Sequence, residues 1–117
     1  MIRIAGFGAR PGASPDSLRA ALDLAGARGI TAFATIAPRA DVLRPFAQAL
    51  GLPLHLVPVQ GVATPTQSGR VQLQFQTGSV AEAAALTAAG RGARLVVLRV
   101  TSPDGMATCA VAEGEGP

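Results

Sequence analysis

The sequence predicts a single three-layer α/β/α domain built on a mixed sheet of roughly five strands. Short apolar runs typical of strands alternate along the chain with segments of helical apolar spacing, which is the pattern of α/β folds. The turn sequence Ser-Pro-Asp-Gly at 102–105 separates the last two strand-like runs, so we expect the sheet to end in an antiparallel hairpin. The chain has 117 residues, 49% of them hydrophobic, which suits one compact domain. We place this domain at residues 1–112 and expect a flexible tail at 113–117.

The first quarter of the chain predicts a strand, a helix and a second strand. The strand covers 2–8 and ends in a Gly-rich turn. Ser14 is the predicted N-cap of the first helix, with Pro15 in the first turn, and Gly26 ends that helix. Residues 30–37 form the second strand, whose small and apolar residues suit a strand covered on both faces.

The middle of the chain predicts a second helix, a short strand and a long loop. Asp41 is the predicted N-cap of this helix, which places Pro45 close to the first turn, where its missing N–H costs least. Gly51 ends the helix, and a third strand follows at 54–57. Residues 58–68 are rich in Pro, Gly, Thr and Gln, and loops of this length are often functional.

The last third of the chain opens on a segment with two interpretations. Residues 70–76 alternate polar with apolar side chains, which predicts a strand, but the same residues suit a short helix. Ser79 and Glu82 form a predicted capping box at the start of an Ala-rich helix that ends at Gly90. The last two strands are predicted at 93–100 and 106–111.

Composition excludes several classes of function. All ten basic residues are Arg, and the absence of Lys excludes Schiff-base catalysis. The chain has no Tyr or Trp, so nucleic-acid binding by aromatic stacking is poorly supported. One Cys and one His exclude a Cys/His zinc site within the chain and an internal disulfide, which fits a reducing compartment. No apolar run can span a bilayer and the first residues already form a strand, so we expect a cytoplasmic protein without a nucleic-acid or membrane partner.

The junction of the first strand and first helix is the best candidate for a binding site. Gly6, Gly8 and Gly12 would let a ligand approach the backbone, and Arg10 can donate two hydrogen bonds to a carboxylate. Ser14 begins the helix, whose N–H groups suit an anion. The third Gly comes too late for a dinucleotide-binding motif. The alternative is a tight turn that merely needs glycine.

Two further segments supply candidate binding residues. Thr35 and Arg39 follow the second strand and should lie at the same sheet edge, where Arg39 is either a carboxylate ligand or a solvated surface charge. The other candidates lie in the long loop and at the start of the third helix: Ser68, Gly78, Ser79 and Glu82. For Ser79 and Glu82 the competing interpretation is helix capping alone.

No residue stands out as catalytic or metal-binding. His55 has no acidic neighbour in sequence, and Cys109 lies among small apolar residues of a strand. The acidic residues are spread over caps, a helix face and a turn, which disfavours a metal cluster. We therefore expect no metal and no cofactor, and we assign no catalytic residue.

Four blocks of the sequence together resemble the CobE/CbiG C-terminal domain family of cobalamin biosynthesis. They are Gly6-Phe7-Gly8-Ala9-Arg10-Pro11-Gly12-Ala13-Ser14, Ala34-Thr35-Ile36 with Arg39-Ala40-Asp41, Leu50-Gly51-Leu52-Pro53-Leu54, and Gly78-Ser79-Val80-Ala81-Glu82-Ala83-Ala84-Ala85-Leu86. Ala9 replaces a Cys often found in the family, so no thiol chemistry is implied here. Arg39 and Arg99 stand where Lys is usual, which keeps the charge but changes the carboxylate geometry. The resemblance also favours a helix at 70–76.

The resemblance implies a role in corrin metabolism and leaves three functions open. The first is a tetrapyrrole-binding protein of the stand-alone CobE type, which holds or hands on a corrinoid or precorrin intermediate of the aerobic pathway. The second follows the fused form of the family, which is similar to a hydrolase that opens the δ-lactone of cobalt-precorrin-5A and releases acetaldehyde. The third is an accessory subunit that docks on another pathway enzyme. Other cobalamin-pathway enzymes and a homodimer are the candidate protein partners.

Overall fold

The computed structural model describes residues 1–69 and 77–116 of the chain. The described strands are β1 (Ile2–Ala9), β2 (Ala32–Thr35), β3 (Leu54–Leu56), β4 (Arg94–Thr101) and β5 (Ala107–Gly114). The described helices are α1 (Pro15–Ala25), α2 (Ala40–Ala49), which a 3-10 turn (Ala37–Arg39) precedes, and α3 (Val80–Ala89). The sheet has the order β3-β2-β1-β5-β4, with β1 to β3 parallel and β5 antiparallel to β1 and β4. The predicted α/β architecture and terminal hairpin are confirmed, whereas the segment 70–76 lies outside the described residues.

Helices cover both faces of the sheet because its central strand is apolar on both sides. On one face of β1, Phe7 packs with α1 and α2 and meets Phe33 edge to face, with ring centroids 5.0 Å apart. Phe33 in turn stacks on Phe46 of α2 at 5.5 Å. On the other face, Ile4 packs against the alanines of α3. The aromatic side chains therefore lie in one layer of the core, whereas the alanines of α3 and a few aliphatic side chains fill the other.

The α3 helix lies directly against the sheet because two strand residues are glycines. A Cβ atom on Gly6 would lie 2.1 Å from the carbonyl oxygen of Ala81. A Cβ atom on Gly114 would lie 2.3 Å from the carbonyl oxygen of Ala89. Any larger residue would push the helix away from the sheet. This close packing fixes the start of α3 beside the carboxyl end of β1.

The predicted ends of α1 and α3 are confirmed. The Ser14 hydroxyl accepts a hydrogen bond from Ser17 N at 3.2 Å, and Gly26 ends α1 in the left-handed conformation at φ +66°. The Ser79 hydroxyl accepts from Glu82 N at 3.2 Å, and Gly90 ends α3. Local capping chemistry is thus readable from the sequence at these positions.

The start of α2 differs from its prediction. The helix begins at Ala40, so Asp41 lies in the first turn and is not the N-cap. The physical reason is the 3-10 turn, which continues directly into the helix and makes Arg39 the N-cap without a side-chain hydrogen bond. Pro45 consequently lies inside the helix and not in its first turn. The carboxylate of Asp41 still lies near the positive end of the helix.

The carboxyl-terminal strand extends into the segment 113–117 that the sequence predicts as a flexible tail. β5 continues through Glu113, whose carboxylate forms ion pairs with Arg3 at 2.8 Å and Arg94 at 2.6 Å. Beyond the strand, Gly116 donates its N–H to the last residue of α3 at 2.8 Å. The last strand is therefore longer than predicted. Glu113, a polar residue that suggested a tail, has ion-pair partners on both neighbouring strands.

Three further observations concern membrane spans, metal ligands and the single cysteine. None of their helices has the length and apolar character needed to cross a membrane. Among the same residues, no group of three or more His, Cys, Asp or Glu could hold a metal ion. Cys109 is buried in the core, and this burial raises the pKa of its thiol to about 12. The cytoplasmic location stays a prediction from the sequence.

Candidate functional site

A cleft of about 500 Å³ opens at the carboxyl ends of β1 and β4, next to the segment that follows β2. Three arginines from different parts of the chain line it: Arg10 after β1, Arg39 before α2, and Arg99 in β4. The other described lining residues are residues 8, 9 and 11, Ile36, Gln67, Ser68, Val80, Thr101 and residues 105–108. Ligands of open α/β sheets bind at this edge. We call this feature the arginine cleft.

The three arginines are held in different ways. Arg39 donates from Nε to the carbonyl oxygen of Ala9 at 2.6 Å, which ties the start of α2 to the end of β1. Arg10 is fixed through its backbone, since its N–H donates to the carbonyl oxygen of Met106 at 2.9 Å. Within the described residues, the guanidinium groups of Arg10 and Arg99 take part in no ion pair or hydrogen bond. Two cations therefore face the cleft with their donors available.

No Asp or Glu belongs to the described lining of the arginine cleft. The nearest acidic residue in sequence to the hairpin lining is Asp104, whose carboxylate is already engaged. It accepts hydrogen bonds from the hydroxyl of Ser102 at 2.6 Å, from the hydroxyl of Ser17, and from Met106 N at 3.0 Å. These bonds, that of Ser102 first, lower the pKa of Asp104. The carboxylate thus joins the hairpin to α1, and the charge inside the cleft is positive.

One wall of the cleft is formed by backbone in close contact. A Cβ atom on Gly8 would lie 2.6 Å from Oγ1 of Thr108, and this hydroxyl donates to the Gly8 carbonyl oxygen at 3.4 Å. Val80, the first residue of α3, lies beside them. A larger residue at position 8 would collide with Thr108 of the neighbouring strand. The missing side chain also leaves more room in the cleft.

Another part of the lining comes from the end of the 58–68 loop. Ser68 donates its N–H to the carbonyl oxygen of Gly78 at 2.8 Å. The side chain of Gln67 occupies the space where a Cβ atom on Gly78 would lie, 2.3 Å from its Oε1. Thr77 donates its hydroxyl to the carbonyl oxygen of Val62 at 2.6 Å. These contacts hold the described end of the loop against the start of α3.

Glu82 is a buried carboxylate behind this loop. Its side chain has 0% exposure. Oε1 accepts from the N–H of Thr66 at 3.0 Å and from its hydroxyl at 2.8 Å, and Oε2 accepts from the N–H of Arg99 at 3.0 Å. The predicted capping box is thus half realised, because the carboxylate bonds the loop and β4 and not the Ser79 N–H. Glu82 does not line the cleft.

A second, more apolar cavity of about 440 Å³ adjoins the arginine cleft at Ile36, which lines both. It lies between the segments that follow β2 and β3, and its lining includes Pro38, Leu56 and Val59. Leu56 in the edge strand β3 is 41% exposed and adds apolar surface to this cavity. The two cavities together offer positive charge on one side and apolar surface on the other.

The structure brings four of the eleven predicted binding residues into the arginine cleft: Gly8, Arg10, Arg39 and Ser68. The other seven lie elsewhere. Gly6 packs under α3, Gly12 lies in an exposed turn at φ +85°, and Ser14 and Ser79 cap helices. Thr35 is buried and donates to the carbonyl oxygen of Phe7 at 2.9 Å, while Gly78 and Glu82 lie behind the loop wall. Ligand contact at any of these positions stays a prediction.

Several lining residues were not among the predicted ones: Gln67, Val80, Arg99, Thr101, Met106 and Thr108. Arg99 is the most informative of them. It lies within a strand-like run and carries no local binding motif. Apart from the family resemblance, in which it stands where Lys is usual, only its charge in an otherwise apolar segment, Leu-Val-Val-Leu-Arg-Val, indicated a special position. A charged residue in such a run is a useful sign of a site at a strand end.

Comparison with protein families gives the chain its identity. The sequence profile described as the cobalamin synthesis G C-terminus matches residues 3–112. The chain belongs to this family. Membership in the cobalamin synthesis G C-terminal family confirms the resemblance found in the sequence and makes the chain a protein of cobalamin biosynthesis.

Solved structures of cobalamin-biosynthesis proteins share the fold of this family member. CobE, a protein from the cobalamin (vitamin B12) biosynthetic pathway, has a TM-score of 0.83 at 29% identity, over 99% of this chain and 92% of CobE. The cobalamin biosynthesis protein chiG from Agrobacterium tumefaciens str. C58 has a TM-score of 0.67 at 32% identity, over 97% of this chain and 99% of chiG. A cobalamin biosynthesis protein G homologue from Sulfolobus solfataricus has a TM-score of 0.70 at 21% identity and shows the fold alone. The match covers 100% of this chain and 38% of that homologue. No curated protein sequence matches the chain.

Proposed function

We propose that this chain binds an acidic corrinoid or precorrin intermediate of cobalamin biosynthesis in the arginine cleft and holds it or hands it on. The observation that carries the proposal is the presence of three arginines around one cleft whose described lining contains no carboxylate. Such intermediates carry several carboxylates around an apolar ring. Guanidinium groups pair with carboxylates through two parallel hydrogen bonds, and Arg10 and Arg99 have these donors available.

The adjoining apolar cavity supports the same proposal. Ligand sites commonly combine mostly apolar surface with a few placed polar groups. Here the shared residue Ile36 joins a positively charged cleft to a cavity lined by Pro38, Leu56 and Val59. A ligand with carboxylates at its rim and an apolar ring would use both parts.

Two observations favour binding over the alternatives. Lactone hydrolysis needs a group that activates water, and no Asp, Glu or His belongs to the described lining of the cleft. In a docking subunit we would expect the 58–68 loop to pack flat on the protein surface. Instead, its residues Gln67 and Ser68 line the cleft. A homodimer and contact with other pathway enzymes stay expectations from the sequence.

The test is a visible-absorbance titration of the purified protein with hydrogenobyrinic acid and with earlier precorrin intermediates. The ligand's own visible chromophore reports binding, because amino-acid side chains do not absorb visible light. We expect micromolar or tighter binding with no chemical change. Spectral conversion with release of acetaldehyde would replace the proposal by the hydrolase, and a complete lack of interaction would favour the docking subunit.

A further inference from the structure

We propose that Glu82 is a positioning residue of the arginine cleft, which acts on the ligand through Arg99 and the end of the 58–68 loop. The inference rests on the proposed function, because it concerns how the same cleft is shaped. Glu82 itself is fully buried, with 0% exposure, and does not belong to the described lining of the cleft. Its role must therefore lie in what its two oxygens hold.

The environment of Glu82 goes beyond helix capping. A carboxylate in the first turn of a helix is already favourable when it is exposed to solvent. Burying it removes its hydration, and this cost is acceptable only where several donors replace the water. Glu82 has three donors, two from Thr66 and one from the N–H of Arg99. Its carboxylate therefore has the full set of partners of a structural anchor between separate segments.

The two anchored segments form different walls of the cleft. Thr66 directly precedes Gln67 and Ser68, both of which line the cleft. Arg99 lies in the edge strand β4, whose register with β5 shifts between Val97 and Val100. The irregular edge leaves the backbone at Arg99 in need of another partner, and Oε2 of Glu82 accepts its N–H at 3.0 Å. One carboxylate thus sets the position of the loop relative to the Arg99 side chain.

A carboxylate suits this position better than an amide of the same size. Both of its oxygens accept hydrogen bonds, and here both face only N–H and O–H donors. In Glu82→Gln, one oxygen becomes an NH₂ group, which would face the donors of either Thr66 or Arg99. One wall of the cleft would lose its anchor while the helix retains its cap at Ser79.

The experiment measures hydrogenobyrinic acid binding by absorbance in Glu82→Gln, alone and combined with Arg99→Ala or Arg10→Ala. We expect Glu82→Gln to weaken binding about tenfold, the size of one lost hydrogen bond to a charged group. In the Arg99→Ala background the same change should matter much less, because the side chain that it positions is gone. In the Arg10→Ala background it should keep its full effect, since no Glu82 contact reaches Arg10. Circular dichroism melting of each variant reports folding separately.

A second pair of variants keeps the inference testable where Glu82→Gln does not fold. Thr66→Val removes only the hydroxyl donor to Oε1, and Thr66→Ser restores it, so binding should fall in the first variant and recover in the second. Equal effects of Glu82→Gln in all three backgrounds, or of Thr66→Val and Thr66→Ser, would overturn the positioning role while leaving the proposed function intact. Failure of the wild-type protein to bind would instead overturn the proposed function, and this inference with it.

Discussion

The arginines at the two ends of the sheet differ in whether a carboxylate lies beside them. At one end, Arg3 of β1 and Arg94 of β4 both pair with Glu113 of β5, which lies between them in the cross-strand register. At the other end of the same two strands, Arg10 and Arg99 face a cleft with no carboxylate in its described lining. The first end, which we call the paired end, sets two arginines around one carboxylate. The second, which we call the cleft end, has three lining arginines with Arg39 included, and no carboxylate in its described lining.

This difference separates structural charge from charge available to a ligand. An exposed ion pair contributes little to stability, yet it satisfies both partners. Like charges around one cleft repel one another, so the guanidinium groups of Arg10 and Arg99 gain from a bound anion. The cleft end is therefore the end at which a polycarboxylate ligand is expected.

The test with the largest expected effect compares two double variants, each of which removes two arginines from one end of the sheet. We expect Arg10→Ala with Arg99→Ala to weaken hydrogenobyrinic acid binding by about 100-fold or more, because each lost guanidinium–carboxylate bond is worth roughly tenfold. The matched control is Arg3→Ala with Arg94→Ala, which changes the net charge equally at the paired end. Isothermal or absorbance titration at constant salt measures both. Equal losses in the two double variants would show that only net charge matters.

A second test adds a carboxylate to the cleft end of the sheet. Thr101 is exposed, lines the cleft and lies two residues from Arg99 on the same strand. Thr101→Glu places a negative charge among the arginines, so we expect about tenfold weaker binding through competition with the ligand and through repulsion of its carboxylates. Thr101→Gln has the same size without the charge and should bind almost normally. A similar loss in both variants would indicate steric blocking.

The parts of this structure that the sequence predicts are the local ones. Ser14, Gly26, Ser79 and Gly90 were identifiable because capping and left-handed turns depend on a few adjacent residues. The hairpin was identifiable for the same reason, since its turn chemistry is contained in four residues. Strand ends and the start of α2 were less well predicted, because they depend on contacts with the neighbouring elements.

The cleft was predicted only in part because it is assembled from distant segments. Gly6 suggested close approach of a ligand, but the group that approaches it is the backbone of α3. Glu113 suggested a tail, but it pairs with Arg3 across 110 positions of sequence. Glu82 suggested a cap, but two of its three donors belong to a loop 16 positions earlier and the third to β4. A residue type indicates what it can do, and only the fold decides which partner it meets.

A third test acts on the paired end alone. Glu113→Gln leaves Arg3 and Arg94 without their anionic partner, so we expect the midpoint of thermal unfolding to fall by a few °C or less at low salt. The affinity for hydrogenobyrinic acid should stay at the wild-type value, since the cleft lies at the opposite end of the sheet. Loss of affinity in this variant would mean that the two ends are coupled, against the separation drawn from the structure.

The smallest expected effect is the pH dependence that the paired end adds to stability. The hydrogen bond from Arg3, with the charges of Arg3 and Arg94, lowers the pKa of Glu113 in the folded state. A lowered pKa means that the folded protein holds this proton less tightly than the unfolded chain does. Glu113 therefore contributes stability above its unfolded pKa, and the contribution is lost as the pH falls from about 4.5 through the lower folded value.

Urea unfolding of the wild type and of Glu113→Gln between pH 7 and pH 3 measures this contribution. We expect the two stability curves to lie apart at pH 7 and to converge on acidification, because the wild type loses the ion pairs that the variant already lacks. Asp104→Asn provides a second comparison, since the hydroxyl of Ser102 and then that of Ser17 lower the pKa of Asp104 in the same direction. Parallel curves for wild type and Glu113→Gln would show that the Arg3 and Arg94 pairs contribute nothing to folding, and the contrast between the two ends would then rest on binding alone.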